Sequence, residues 1–265
     1  MNNYLLLLET PNIHPGNGIP INFNRYNKIF TWRDDLVDGL RFIKVNLPNP
    51  LVVPKVDGWS ERIRFCCLIA GNKSLPKPDH RDLYIERIKD IRWFEQNAAG
   101  EFDLYGTGWD VPSLRNNYFG KALRRTYRAL SAVVDLQPFP SYRGKVGNKR
   151  DVLLRTRYSI CYENVKDYPG YITEKIFDCF FAGCIPVYWG ASNVANHIPS
   201  DCFIDRRQFK DTNAVHKHLK TITEAEYVEY QIRIASFLAS DAARQFSSNA
   251  FVETVARTIV ADLER

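Results

Sequence analysis

The fold of this chain is decided by the stretch YSICYENVKDYPGYITEKIFDCFFAGCIPVYWG, residues 158–190. Residues 158–162 and 184–189 are short apolar runs with several aromatic and β-branched side chains, which is typical of buried strands. Between them, residues 173–182 carry the pattern of a helix, and Gly183 is a typical helix stop. Since strand, helix and strand follow one another so closely, the stretch predicts a βαβ unit with parallel strands.

The same alternation extends in both directions from this unit. The pattern predicts, in chain order, strand 65–70, helix 79–93, strand 102–105, a helix from a Thr223–Glu226 capping box to residue 238, and a last helix over 241–263. Strands that alternate with helices pair in parallel and are covered by those helices. The chain is therefore expected to have an α/β fold.

The first 58 residues have a different organisation. They contain two short strand-like runs, at 4–8 and 28–32, separated by a loop rich in Gly, Pro and Asn. This is little material for a complete domain. We therefore expect a small or incomplete N-terminal lobe at 1–58, a larger lobe at 59–238 and a C-terminal helix at 239–265.

The bulk composition is that of a globular protein. The chain has 265 residues, of which 45% are apolar and 25% charged. Its longest apolar runs are far shorter than the roughly 20 residues of a membrane span, and Met1 is followed by two asparagines rather than by basic residues. These features favour a cytoplasmic location. The formal net charge of +6 is compatible with nucleic acid, an anionic membrane face or an anionic substrate.

The six cysteines show no CxxC pair, and most lie inside apolar strand-like runs. Zinc sites and disulfide frameworks have characteristic spacings that are missing here. We therefore expect buried, reduced thiols.

Residues 118–134 predict a helix with a basic face. Its cationic side chains are Lys121, Arg124, Arg125 and Arg128, and its apolar side chains include Phe119, Leu123, Leu130 and Val133. Two interpretations stay open. The basic face is either simply solvated, or it makes contact with an anionic acceptor or the periphery of a membrane.

The start of the helix at residue 173 has the features of an anion site. A helix N-terminus has free N–H groups and roughly half a positive charge, and Lys175 adds an ammonium group. Glu174 would repel a phosphate but suits a ribose diol, so the pair indicates a nucleotide. Thr173, Glu174 and Lys175 are equally compatible with an ordinary capped helix start.

Several common nucleotide and metal motifs are missing from the sequence. It has no GxGxxG, no GxxxxGK[ST] and no Asp-x-Asp triplet. We therefore expect no cofactor and no metal, and cationic side chains rather than an ion would hold a diphosphate.

Three linked blocks resemble the signature of the α-1,3-fucosyltransferases. They are residues 158–164 (YSICYEN), 171–178 (YITEKIFD) and 183–190 (GCIPVYWG), which are similar to F-x-x-x-F-E-N, Y-V-T-E-K and G-x-x-P-V-x-x-G in that family. Weaker similarity covers residues 65–72 with Arg81, 103–106, 142–145 with Lys149, and 9–11. The match is specific because the three blocks follow in the right order within a short stretch.

The resemblance implies a GT-B architecture, with two facing Rossmann-like lobes and GDP-fucose bound by the C-terminal one. It also implies roles for individual residues. Lys175 and Arg81 would face the diphosphate, Glu174 would bind the ribose, and Asn164 and Tyr171 would make further donor contacts. The motif Glu9-Thr10-Pro11 is similar to the family's Glu-Ser-Pro, so Glu9 would be the catalytic base.

The implied function is inverting transfer of L-fucose from GDP-fucose to a hydroxyl of an acceptor oligosaccharide, with an α-1,3 linkage. Only eight residues precede Glu9, whereas family members have several strands there. Two alternatives therefore stay open: an inverting GT-B transferase for another GDP-sugar, and a nucleotide-sugar-binding module without catalysis. Nucleic acid is not an expected partner, because no recognised motif accompanies the charge.

Overall fold

The computed structural model of the chain describes residues 2–114, 118–131, 134 and 136–264. Its strands form two parallel sheets. The first sheet has the order β1-β2-β3, with β1 at Tyr4–Leu7, β2 at Lys28–Thr31 and β3 at Phe42–Lys44. In its register Leu6 lies beside Phe30, which lies beside Ile43.

The second sheet is larger, with the order β5-β4-β6-β7-β8. Its strands are β4 at Arg64–Ile69, β5 at Phe102–Tyr105, β6 at Thr156–Tyr162, β7 at Ile185–Trp189 and β8 at Ile204–Asp205. All of its neighbouring strands are parallel. The α/β fold class and the βαβ unit are therefore confirmed.

The helices of the described residues are α1 at Leu83–Asn97, α2 at Tyr118–Ser131, α3 at Lys149–Leu153, α4 at Glu174–Phe181, α5 at Thr212–Thr221, α6 at Glu224–Ala239, α7 at Asp241–Arg244 and α8 at Ser248–Leu263. The Thr223–Glu226 capping box at the start of α6 is confirmed.

Two helix predictions need correction. The helix expected at 79–93 begins later, because Asp82 is its N-cap and accepts a hydrogen bond from the Tyr84 N–H. The single last helix expected at 241–263 is two helices, because the chain turns between them and Ser247 caps α8. Of the helix expected at 118–134, the described part is α2; Val133 lies outside the described residues.

Helices cover both faces of the second sheet, which is why its strands are apolar on both sides. On β4, Cys66 and Leu68 pack in a cluster with α1 and α5, whereas the intervening Cys67 packs against α4 and α6. This layering places the N-terminus of α4 at the carboxyl-end edge of the sheet. Ligands of open α/β sheets bind at that edge.

The turn from α4 into β7 depends on Gly183 and a buried arginine. Gly183 has φ +62°, and a Cβ there would lie 3.0 Å from Arg62 Nη2. Arg62 is almost fully buried and donates a 2.8 Å hydrogen bond to the Ala182 carbonyl at the end of α4. A free helix-terminal carbonyl is therefore satisfied by a guanidinium, and the close approach favours glycine at position 183.

All six cysteines are free and buried, as the sequence predicts. Among the described residues, no helix has both the length and the apolar character needed to cross a membrane.

The chain passes between the two sheets twice, and the two passages lie side by side. Asn49 N donates to the Phe246 carbonyl (2.8 Å), and Ser248 N donates to the Asn49 carbonyl (3.0 Å). Beyond this point α8 returns to the first sheet, where Asp262 lies 3.7 Å from the Lys28 ammonium. The two sheets fall on either side of residue 58; whether 1–58, 59–238 and 239–265 are separate folding units stays a prediction.

A second junction joins the loop after β2 to the loop after β7. Asp34 Oδ2 lies 2.7 Å from His197 Nε2 and accepts a hydrogen bond from Asn193 Nδ2 at 2.8 Å. Lys44 donates to the other Asp34 oxygen at 2.6 Å. These bonds fix the first sheet against the carboxyl-end edge of the second.

Candidate functional site

A cleft of about 320 Å³ opens at the carboxyl ends of β4 and β6, beside the N-terminus of α4. Its polar lining consists of Lys73, Tyr84, Arg87, Lys149, Ser159, Tyr162, Asn164, Glu174, Lys175 and Asp178, together with the thiols of Cys161 and Cys179. Four of these side chains are cations and two are carboxylates. The lining of the cleft therefore has a net positive charge, and the cleft is suited to an anion that also carries hydroxyl groups.

The start of α4 is organised by a buried carboxylate. Glu163 follows β6 directly, and its side chain is fully buried. It accepts hydrogen bonds from the Thr173 N–H (2.8 Å), the Thr173 hydroxyl (2.7 Å) and the Lys175 ammonium (3.0 Å). Lys175 also donates to the Thr173 hydroxyl at 2.9 Å. Glu163 thereby fixes the position of the Lys175 charge in the cleft.

Lys175 stays charged in this environment. Burial lowers the pKa of its ammonium group, but the charges of Glu163 and then Glu174 raise it by more, so that the pKa lies above its ordinary value. The side chain is 24% exposed, on the cleft side. A permanently positive group at a helix N-terminus is a strong attractor for phosphate oxygens.

Glu174 has a different environment from Glu163. Its side chain is 52% exposed and lies 3.9 Å from the ammonium groups of both Lys149 and Lys175. Burial raises its pKa, but Lys175 and Lys149 lower it by more, so Glu174 is ionised at neutral pH. An exposed, ionised carboxylate beside two cations can accept hydrogen bonds from a diol while the cations face a phosphate.

Lys149 also lines the cleft, although the sequence assigns it no role there. The Lys149 ammonium donates a 2.7 Å hydrogen bond to Asp178 on α4. This bond keeps the positive charge of Lys149 beside the cleft. Lys149 belongs to the weaker similarity to the α-1,3-fucosyltransferases, together with residues 142–145. That similarity is the sequence signal that could have identified it as a site residue.

Arg87 is a second residue that sequence reasoning missed. It lies on α1, is only 3% exposed, and donates to the carbonyls of Tyr162 (2.6 Å) and Glu163 (2.7 Å) and to the Asn164 side chain (3.3 Å). Its charge therefore stabilises the end of β6 within the lining of the cleft. In the sequence it looks like any arginine on an exposed helix face, so no signal identifies it.

Three of the predicted site residues, Asn164, Glu174 and Lys175, line the cleft together. Arg81 does not occur among the described residues of that lining. Its guanidinium stacks on the Tyr168 ring, 4.8 Å from the centroid, and lies 3.5 Å from the Tyr168 hydroxyl. Its diphosphate role stays a prediction.

Tyr171 and Glu9 lie at the boundary with the first sheet. The Tyr171 ring is buried against Trp32, with centroids 4.7 Å apart. Burial raises its pKa strongly, and the charges of Glu163 and Glu9 add to the effect. Glu9 itself is exposed in the loop after β1.

No group of three or more His, Cys, Asp and Glu side chains within the described part of the chain could hold a metal ion. The positive charges of the cleft come from its lysines and Arg87.

Comparison with known proteins agrees with this geometry. Residues 115–245 match the family described as glycosyltransferase family 10 (fucosyltransferase) C-term. The alpha-(1,3)-fucosyltransferase FucT of Helicobacter pylori is 33% identical over 98 residues, which cover 36% of this chain and 20% of that protein. The matched stretch thus spans one fifth of that relative's length.

Solved structures show the same fold. A crystal structure of an alpha1,3-fucosyltransferase superposes with a TM-score of 0.52 and 16% identity, over 88% of this chain and 67% of the other. Anabaena Alr3699/HepE in complex with UDP gives a TM-score of 0.59 with 10% identity, over 98% and 72%. The architecture is therefore that of the GT-B glycosyltransferases. Residues 115–245, just under half of the chain, match the family model, and over this stretch the chain resembles the fucosyltransferases of glycosyltransferase family 10.

Proposed function

We propose that this chain is an inverting fucosyltransferase that moves L-fucose from GDP-fucose to a hydroxyl of an acceptor glycan and forms an α-1,3 linkage. One observation carries the proposal: Lys175, at the N-terminus of α4, is held by the buried Glu163 and exposes its charge to the cleft. A fixed cation at a helix N-terminus is the arrangement that binds and stabilises a diphosphate.

The diphosphate and the ribose of the donor would bind to different residues. Lys175 and the first N–H groups of α4 would hold the diphosphate, with Lys149 beside them. Glu174 would accept hydrogen bonds from the ribose hydroxyls, since it is ionised and half exposed. Asn164 and Tyr171 are proposed as further donor contacts and Arg81 as a second diphosphate cation.

The reaction would be one in-line displacement. The acceptor oxygen attacks the anomeric carbon of fucose, and the bond from that carbon to the phosphate oxygen breaks with its electron pair leaving on GDP. The acceptor proton passes to Glu9, which would act as general base. Lys175 and the helix N-terminus stabilise the charge that develops on the leaving diphosphate. Because protein cations supply this stabilisation, we propose that transfer does not require a metal.

The proposal is tested by following GDP release from GDP-fucose and from GDP-mannose, with N-acetyllactosamine, lactose and related acceptors. The expected result is release from GDP-fucose alone, only when an acceptor is present, and unchanged by EDTA. Release from GDP-mannose instead would establish a transferase for another GDP-sugar. GDP binding without release from any pairing would overturn the catalytic proposal and support a binding module.

A further inference from the structure

Helix α2 presents an apolar face that the rest of the described chain does not cover. Gly120 is its single buried residue, whereas α1, which is of similar length, buries six. The exposed fractions are 70% for Phe119, 41% for Leu123 and 54% for Leu130. These three residues recur at intervals of four and seven, so they lie on one side of the helix. Val134, 51% exposed, follows the helix.

The other side of α2 is strongly basic. It carries Lys121, Arg124, Arg125 and Arg128, and the helix has no acidic residue. Arg128 is paired with Asp110 at 3.0 Å, and Arg124 donates to the Leu114 carbonyl. Lys121 and Arg125 are exposed. The helix therefore combines an uncovered apolar face with a basic face within four turns.

We infer that α2 binds the surface of an anionic lipid membrane. A helix with a large apolar-to-basic asymmetry lies in the interface plane, with its apolar side among the acyl chains and its cations at the headgroups. The aromatic ring of Phe119, preceded by the 91% exposed Tyr118, fits the headgroup level, where aromatic residues are enriched. The inference does not depend on the proposed transfer reaction.

Other binding partners fit the two sides of this helix less well. A nucleic acid would neutralise the basic side but leave the apolar side in water. A second copy of the chain would cover the apolar side but leave the exposed Lys121 and Arg125 without an anionic partner. A membrane with anionic lipids satisfies both sides at once.

The test is flotation of the full chain with vesicles of phosphatidylcholine, with and without phosphatidylglycerol, at low and high salt. We expect the chain to float with the anionic vesicles at low salt, and less at high salt, because salt screens the attraction. A chain that stays at the bottom of the gradient with anionic vesicles at low salt would overturn the inference.

Two variants and two matched controls assign the effect to α2. Lys121→Gln with Arg125→Gln should weaken partitioning about 25-fold, since each cation contributes about fivefold. Phe119→Ser should weaken it about tenfold. Lys217→Gln and Leu40→Ser remove an exposed charge and an exposed apolar side chain elsewhere and should change nothing.

Partitioning that is unaffected by both α2 variants would place the contact elsewhere and refute the inference. Light scattering of the free protein provides the other decisive result. A dimer that Phe119→Ser converts to a monomer would show that a second copy covers this face instead.

Discussion

The Lys175 ammonium lies 3.0 Å from a carboxylate, Glu163, that has no exposed surface. The lysine is thus oriented from inside the protein, and its remaining exposure faces the cleft. This pair connects the end of β6 to the start of α4. It is the feature on which the proposed donor site depends.

Glu163→Gln should destabilise the protein while preserving the local shape. The amide oxygen can still accept from the Thr173 N–H, but an NH2 group replaces the oxygen that accepts from the Thr173 hydroxyl and from Lys175. Lys175 would lose its buried counter-charge, which costs about 3 kcal/mol in such pairs. Urea unfolding measures the change. As a control, Glu86→Gln breaks the exposed pair with Lys89 and should cost less than about 1 kcal/mol. Equal effects of the two substitutions would contradict the role given to Glu163.

Lys175→Ala should weaken GDP binding by roughly 1.5 to 3 kcal/mol, because it removes a charge-assisted contact with phosphate. Calorimetric titration with GDP measures the loss. Lys89→Ala removes a lysine from the outside of α1 and should leave the affinity unchanged. Wild-type affinity in Lys175→Ala would show that the diphosphate binds elsewhere.

Lys149→Ala and Arg81→Ala compare a cation that lines the cleft with one that does not. Lys149 lines the cleft, whereas Arg81 is stacked on Tyr168. We therefore expect Lys149→Ala to weaken GDP binding more than Arg81→Ala. The opposite order would mean that Arg81 leaves Tyr168 and moves to the diphosphate when the nucleotide binds.

Glu9→Gln should keep GDP-fucose binding and lose transfer by about 10²- to 10⁴-fold, the usual contribution of a general base. Binding is measured by calorimetry and transfer by GDP release in the presence of acceptor. Glu61→Gln, another exposed carboxylate, serves as the control. Near-normal turnover of Glu9→Gln would assign the base to another residue.

The contribution of Lys175 to stability should be constant from about pH 7 to 8.5. Its folded-state pKa lies above the ordinary 10.5 because Glu163 and Glu174 outweigh the effect of burial. A raised lysine pKa gives stability that is complete below the unfolded value and is lost only as the pH rises through the folded value. Urea unfolding of wild type and Lys175→Ala at both pH values should give the same difference, and a difference that vanishes by pH 8.5 would contradict the raised pKa.

The βαβ unit could be predicted because each of its signals is local. The apolar runs, the Thr173 cap and the Gly183 stop all lie within residues 158–190. The turn at Ser247 was missed because residues 241–263 have a continuous helical pattern, while the bonds that Asn49 makes there come from a distant part of the chain. Strand β3 was missed because three residues show no periodicity.

The residues of the candidate site also differ in whether their signals are local in the sequence. Lys175 and Glu174 were predictable from their position at a helix start, and both line the cleft. The contribution of Glu163 was not predictable, because it depends on the fold of the loop that brings Thr173, ten residues later, back to the Glu163 carboxylate. Arg87 depends on α1 packing across the end of β6, a tertiary contact that leaves no mark in the sequence.

The two neighbouring passages of the chain, at Asn49 and at Ser247–Ser248, are hydrogen-bonded to each other and so form one double connection between the sheets. The bonds of Asp34 to His197 and Asn193 form a second connection close to the first, because the His197 and Phe246 ring centroids are 6.4 Å apart. Separating the two sheets to admit an acceptor would therefore break the Asp34 bonds and also the buried ring contacts of Trp32 with Tyr168 and Tyr171.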